Sequence, residues 1–286
     1  MYLMDRGETL GQTLGIYRAC FFNEKQNFWG GSEYTFKKGM RYKLHSTLQH
    51  RSIRYSDSEC FDIPPIIKQV IHIPMSEETK PYYEQTRSGV LNAGGDRIEI
   101  ENGYIKLRQI SSSFIYFKDE DGEKTTIDFV EHPKIDKLIS MLDEVPEGSS
   151  SIIFYEFSRS GELIYQALKK AKKPCLYMKK EEASAIRKRF GKDDQSRILL
   201  VNWRSGGTGL NLQAATRGFF YESPVSPIER KQCEKRFTGA RQKKKTWIYD
   251  LCVKGSIEQS ILDFLKEGED LFTSIIGGKV KLKKIL

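Results

Sequence analysis

The sequence predicts an α/β protein, a parallel sheet covered by helices on both faces. Three observations predict it. In the second half of the chain, short apolar stretches rich in β-formers alternate with amphipathic ones. Several of those stretches, such as SIIFY (151–155) and RILLV (197–201), are continuously apolar, as strands buried on both faces should be. A glycine-rich connection, SGGTG (205–209), directly follows one of them. In parallel sheets the functional loops lie beyond the carboxyl ends of the strands.

The first half is less regular. Residues 23–40 read as a long loop. Within 60–76, after Pro64 and Pro65, IIKQVIHI alternates like a strand. Residues 76–90 read as a helix with Pro81 in its first turns, and DEDGEKTT (119–126) as a turn-rich polar insert. Residues 132–148 predict a helix leading into the second half.

From there the pattern is clearer. SIIFY is a strand, and the helix of 162–170 carries Leu163, Ile164, Ala167 and Leu168 on one stripe. PCLYM (174–178) is a strand, and 181–190 a helix with Ala185, Ile186 and Phe190 on one side. RILLV and RGFFYE (217–222) are strands. The helix of 226–237 starts with Ser226 as N-cap, Pro227 at the first helical position and Glu229 three residues after the cap. TWIYDLC (246–252) is a strand, and 256–267 a helix capped by Ser256.

Composition narrows the function classes. A chain of 286 residues allows two lobes or one large domain. A net charge of +9 favours an anionic partner, most often nucleic acid. The five cysteines form no C-x-x-C pair, which fits reduced thiols in an intracellular protein. The four scattered histidines offer no metal-ligand spacing, and no metal site is predicted. No stretch has the length of a signal core or a membrane helix, so the expectation is a cytoplasmic protein without membrane contact.

Two constellations could carry chemistry. In SGGTGLNLQAA (205–215) the glycines let backbone N–H groups approach a phosphate, and Thr208 adds a hydroxyl. The loop is not a dinucleotide fingerprint, because Leu212 occupies the third glycine position, and no Walker A loop occurs in the chain. A tight strand-to-helix turn is the alternative. The second constellation is RKQCEKRFTGARQKKK (230–245). Its basic side chains are Arg230, Lys231, Lys235, Arg236, Arg241, Lys243, Lys244 and Lys245, opposed by Glu234 alone. A solvated helix face is one reading of such a run. The other uses arginine's fixed fork, which binds phosphate and stabilises charge on a transferring phosphoryl group.

Taken in order, these segments resemble the Swi/Snf-type helicase-like ATPases of superfamily two. The stretch RILLVNWRSGGTGLNLQAATRGFFYESPVSPIERKQCEKRF…RQKKKTWIYDLCVKGSIEQSIL is similar to motifs V and VI, and SSIIFYEFSRSGELIYQAL resembles the motif IV region. Upstream, 2–22, 51–85, 106–116 and 132–142 resemble the end of the first lobe and the passage into the second. The resemblance implies a RecA-like second lobe at 131–286, a helical or irregular linker at 76–130, and the tail of a first lobe at 1–75.

It also implies function. Ser205, Gly206, Thr208 and Asn211 would contact double-stranded DNA, while Gly207, Gly209 and Gln232 would face nucleotide. Arg236, and Arg241 with it, would reach the γ-phosphate of ATP. ATP and magnesium would be held mainly by a complementary lobe 1, either upstream or on a separate polypeptide. This chain, lacking Walker A and Walker B, is expected to be inactive alone. The family pattern Q-x-x-x-R-x-H-R-x-G-Q is altered: Gly239 stands in the place of the second arginine, and Arg241 follows two positions later. A non-catalytic DNA- or protein-binding remnant is the alternative function. Trp203 is expected to pack in the core or between lobes and not to stack on bases. The short lobes suggest a bacterial or phage member, acting in a prokaryotic or infected-host cytoplasm.

Overall fold

The computed structural model describes residues 5–26, 32–50, 53, 55, 57–92, 97–118, 124–179, 182–204, 212–239 and 241–268. The chain divides into two compact units, 1–60 and 61–286.

The first unit holds helix α1 (Leu14–Phe21), strands β1 (Phe22–Gln26) and β2 (Ser32–Phe36), and helices α2 (Met40–Gln49) and α3 (Asp57–Cys60). Thr13 caps α1 by accepting from the Ile16 N–H at 3.3 Å. The long loop expected at 23–40 is instead mostly an antiparallel hairpin, with Phe22 opposite Phe36. Cross-strand pairing makes it: the Phe22 and Phe36 rings lie 4.3 Å apart, and the Tyr34 hydroxyl donates to Glu24 at 2.9 Å. Among the described residues of this unit only Gly7 is buried.

The second unit is built on a six-stranded sheet. Its strands are β3 (Ile66–Ile73), β6 (Ser150–Tyr155), β7 (Leu176–Tyr177), β8 (Ile198–Asn202), β9 (Ala215–Phe220) and β10 (Thr246–Val253), in the order β3-β10-β9-β6-β8-β7. Every neighbouring pair is parallel. The sheet thus draws in residues 66–73, upstream of the lobe start expected at residue 131. Strands β4 (Phe114–Lys118) and β5 (Lys124–Asp128) form a separate antiparallel hairpin. The polar insert expected at 119–126 is therefore a strand from residue 124 onward, while 119–123 lie outside the described residues.

The helices of this unit are α4 (Lys80–Asn92), α5 (Arg97–Ser111), α6 (Pro133–Asp143), α7 (Ser158–Lys170), α8 (Ala183–Arg189), α9 (Pro227–Thr238) and α10 (Ile257–Glu267). Side-chain alternation along β6 gives the sheet two apolar faces. Ile153 and Tyr155 pack with Ile135, Leu138 and Leu142 of α6 and Leu163, Ile164 and Leu168 of α7. Ile152 and Phe154 pack with Ile186 of α8 and Cys233 and Phe237 of α9. A third cluster joins Tyr83 of α4, Leu107 and Ile110 of α5, and Ile257 and Ile261 of α10. Burial on both faces explains why the central strands read as unbroken apolar runs.

Candidate functional site

The residues of the expected DNA- and nucleotide-contacting loop, Ser205, Gly206, Gly207, Thr208, Gly209 and Asn211, lie outside the described residues. Both segments that flank it are described. Strand β8 ends at the carboxyl edge of the sheet, where the Trp203 N–H donates to the Tyr155 carbonyl at 3.0 Å. The Asn202 side chain accepts from the Arg204 N–H at 2.9 Å. Trp203 is buried among Phe154, Leu199 and Val201, as the packing expectation required, with the Arg204 guanidinium 4.9 Å from its ring centre. On the far side, Leu212 is buried, and its N–H donates to the Arg236 carbonyl at 3.0 Å. Leu212 therefore sits where β9 begins, at the amino edge.

Helix α9 spans the same two edges. Ser226 is its N-cap and Pro227 opens it, as the sequence predicts, though the Ser226 side chain makes no capping hydrogen bond. Near the helix start, the basic run contains a residue that does not face solvent. Arg230 is buried and grips Asp250 of β10 with both guanidinium nitrogens, one at 2.8 Å. It also donates to Glu234 at 2.8 Å and Ser223 at 2.6 Å, and its guanidinium lies 3.6 Å from the Phe220 ring centre. Asp250 and Glu234 push its pKa further up against the opposing effect of burial. Arg230 is a clamp between helix and sheet, and it leaves the set of candidate phosphate ligands.

The other end of α9 differs. Gln232 is exposed, Arg236 is half-buried in the last turn, and Arg241 is exposed just beyond the helix. The helix can lie close to β9 because Gly218 has no side chain. A Cβ there would meet the Phe237 ring at 2.4 Å. Gly239, in the place of the family's second arginine, has a similar reason: a Cβ would stand 2.9 Å from the Lys235 carbonyl oxygen. The altered pattern thus matches tight packing where the helix ends.

One residue of this end is absent from the expected site set. Gln242 is 5% exposed, and its amide NH2 donates to the carbonyls of Gln213 (3.2 Å), Ala215 (2.9 Å) and Phe237 (2.8 Å). Its carbonyl oxygen accepts from the Lys244 N–H at 3.0 Å. Gln242 ties the segment leaving the glycine-rich loop to the segment carrying Arg236 and Arg241. The sequence signal was present, since Gln242 is the final glutamine of the family pattern.

The carboxyl edge holds paired charges. Glu156, just after β6, forms ion pairs with Arg108 of α5 at 2.5 Å and Arg204 at 2.6 Å. Glu222, just after β9, is fully buried. It accepts from the Glu156 N–H at 2.7 Å and from the Ser160 hydroxyl. Burial holds its carboxyl above the usual carboxylate range, against the opposing pull of Lys134 and these hydrogen bonds. Lys134 pairs with Glu258 at 2.6 Å and lies 4.5 Å from the Tyr221 ring centre.

These charges bear on what the site could hold. Among the described residues, no group of three or more His, Cys, Asp or Glu side chains is placed to hold a metal ion.

Comparison with known proteins places a known domain within the chain. Residues 133–238 match the helicase conserved C-terminal domain. Proteins similar in sequence include chromatin-remodeling ATPases. Human chromodomain-helicase-DNA-binding protein 1 is 24% identical over 268 residues, which cover 85% of this chain and 16% of that protein. The ISWI chromatin-remodeling complex ATPase CHR11 of Arabidopsis thaliana is 24% identical over 239 residues, 77% of this chain and 22% of that one. Human chromatin-remodeling ATPase INO80 is 30% identical over 150 residues, half of this chain and 9% of its own length.

The chain therefore spans less than a quarter of the length of these relatives. In fold, it is similar to the C-terminal part of the Fun30 ATPase domain, with a TM-score of 0.61, 16% identity, and coverage of 78% of this chain and 97% of that one. The Sulfolobus solfataricus SWI2/SNF2 ATPase core in complex with double-stranded DNA gives 0.58 and 18% identity, covering 97% and 60% respectively. The named relatives come from human and Arabidopsis thaliana and the named structure from Sulfolobus solfataricus, and they lend no support to the expected phage or bacterial origin. Among the described residues, no helix is long and apolar enough to cross a membrane.

Proposed function

We propose that this chain supplies the second lobe of an ATP-driven translocase on double-stranded DNA. On this reading Ser205, Gly206, Thr208 and Asn211 contact the DNA backbone, and Gly207, Gly209 and Gln232 lie toward the nucleotide. Arg236 and Arg241 stabilise charge on the γ-phosphate of ATP held with magnesium by a lobe 1. The domain division follows the same reading, with 1–75 assigned to the end of lobe 1, 76–130 to a linker and 131–286 to the lobe proper, except that β3 (Ile66–Ile73) pairs with β10 and so belongs to the sheet of the lobe proper.

The observation that carries the reading is the fastening of the two segments. The Leu212 N–H bonds the Arg236 carbonyl, and Gln242 bonds carbonyls on both sides. A movement of the DNA-facing loop would be transmitted to the arginines through these bonds. Such coupling is what a motor needs, because hydrolysis must follow movement on DNA.

What the lobe itself would contribute is electrostatic. A guanidinium delivered across the cleft neutralises charge that develops on the transferring phosphoryl group. DNA contacts made by backbone N–H groups and hydroxyls would position the duplex without reading its sequence. Binding should weaken steeply with salt.

The test is reconstitution. The chain alone should hydrolyse little or no ATP, and adding a matching lobe 1 polypeptide should yield DNA-stimulated hydrolysis. Robust DNA-stimulated turnover by the chain alone would defeat the reading. Absence of turnover in the mixture would favour the rival, a binding remnant that has lost catalysis.

A further inference from the structure

A second basic surface lies at the amino edge of the sheet, away from α9. Helices of a parallel α/β unit run opposite to the strands, so the carboxyl ends of α7 and α8 both arrive there. Lys169 and Lys170 close α7, and Arg187, Lys188 and Arg189 close α8. Lys172 follows in a turn with φ of 55°, its N–H donating to the Lys169 carbonyl at 3.1 Å. An open cleft of about 480 Å³ runs between these ends, lined by Lys169, Lys172, Arg189, Tyr165 and Gln195 among others.

Two neighbouring cations are committed elsewhere: Lys173 pairs with Asp143 at 2.6 Å and Arg197 with Asp194 at 2.9 Å. Lys169, Lys170, Lys172, Arg187 and Lys188 are exposed and enter no ion pair among the described residues. Complementing a helix dipole accounts for a cation at a single helix end, where its stabilisation is a fraction of a kcal/mol. It does not account for Lys169 of α7, Lys172 just beyond it and Arg189 of α8 lining one cleft.

We propose that this cleft binds the phosphate backbone of a nucleic-acid duplex, at a surface separate from the loop and arginines described above. Chemistry favours nucleic acid over an acidic protein. Protein interfaces depend on buried apolar and aromatic anchors, and no large hydrophobic side chain between residues 131 and 227 is prominently exposed among the described residues. Backbone recognition needs only correctly placed charge. The proposal does not depend on the translocase reading, since a binding remnant could use the same cleft.

The experiment is a salt titration of the full chain binding a labelled 30-base-pair duplex, followed by anisotropy. Lys169→Glu/Lys172→Glu/Arg189→Glu should weaken binding about tenfold or more at moderate salt and reduce the slope of log affinity against log salt by about 2–3. The milder Lys172→Gln should reduce the slope by about 1, which keeps the test open if the triple variant folds poorly. DNA-stimulated hydrolysis in a mixture with lobe 1 should persist at saturating DNA. Unchanged affinity and slope in both variants would overturn the proposal and leave the translocase reading standing. Binding of polyglutamate to this cleft without binding of duplex would also overturn it, in favour of an acidic protein partner.

Discussion

The two edges of the central sheet treat charge in opposite ways. At the carboxyl edge, Arg108, Glu156, Glu222, Lys134 and Glu258 are buried or nearly so and engaged with one another or with hydrogen-bond partners. At the amino edge, Lys169, Lys170, Lys172, Arg241, Lys243, Lys244 and Lys245 face solvent. Buried charges must be paired to be tolerated, and they fix geometry. Exposed charges cost little and remain available to a ligand. Helix α9 reaches both edges: Arg230 near its start is locked to Asp250, and near its end the Arg236 carbonyl accepts from the Leu212 N–H. The edge expected to carry function by the general rule for parallel sheets is thus the organising one, and the opposite edge carries the available cations.

Breaking the clamp should produce the largest effect. Asp250→Ala leaves Arg230 buried without its main partner and should destabilise the lobe by about 3–5 kcal/mol, read as a shift in the urea midpoint. A loss below 1 kcal/mol would mean that Arg230 reaches water. Gln242→Leu comes next. It leaves carbonyls of Gln213, Ala215 and Phe237 short of a donor, at a cost of about 1–3 kcal/mol, and it should lower DNA stimulation of hydrolysis more than basal hydrolysis in the reconstituted mixture. Equal losses in both would remove Gln242 from the coupling path.

Gly218→Ala should cost about 1–3 kcal/mol, because the added methyl meets the Phe237 ring and α9 must shift. Thermal unfolding reads this directly, and an unchanged midpoint would show that α9 is seated more loosely. The smallest effect is pH-dependent and tests the carboxyl edge. The folded-state pKa of Glu222 is raised, so the cost of ionising it is absent below the unfolded carboxylate pKa and grows as pH rises through the folded value. Glu222→Gln removes that cost. Relative to the wild type, the variant should be favoured more at pH 7 than at pH 4, as melting across that range would show. A difference independent of pH would mean that Glu222 is not held protonation-sensitive by burial.

The sequence disclosed the sheet well and the charges poorly. The inner strands β6, β8 and β9 read correctly because burial on both faces leaves an apolar run, the edge strand β3 read from its alternation, and the helix starting at Ser226 and Pro227 announced itself through local chemistry. The hairpin of β1 and β2 was hidden because FNEKQ and SEYTF are polar, and their pairing depends on contacts such as Phe22 with Phe36 across the turn. Arg230 and Arg236 look alike in the sequence. What separates them is Asp250, which lies on the next strand and comes near only after folding. The same holds for Gln242, visible as part of a motif but with partners set by tertiary structure. The resemblance to a helicase-like ATPase was legible from the order of the segments, and residues 133–238 match the helicase C-terminal domain.

The central proposal is that Arg236, at the carboxyl end of α9, acts on ATP held by a lobe 1. The most direct measurement is the rate of DNA-stimulated ATP hydrolysis by this chain mixed with a matching lobe 1, compared between wild type and Arg236→Ala at saturating DNA and ATP. The account predicts a loss of about 10³-fold, the scale of a missing arginine finger, with folding and duplex affinity retained. A rate within twofold of the wild type would contradict it.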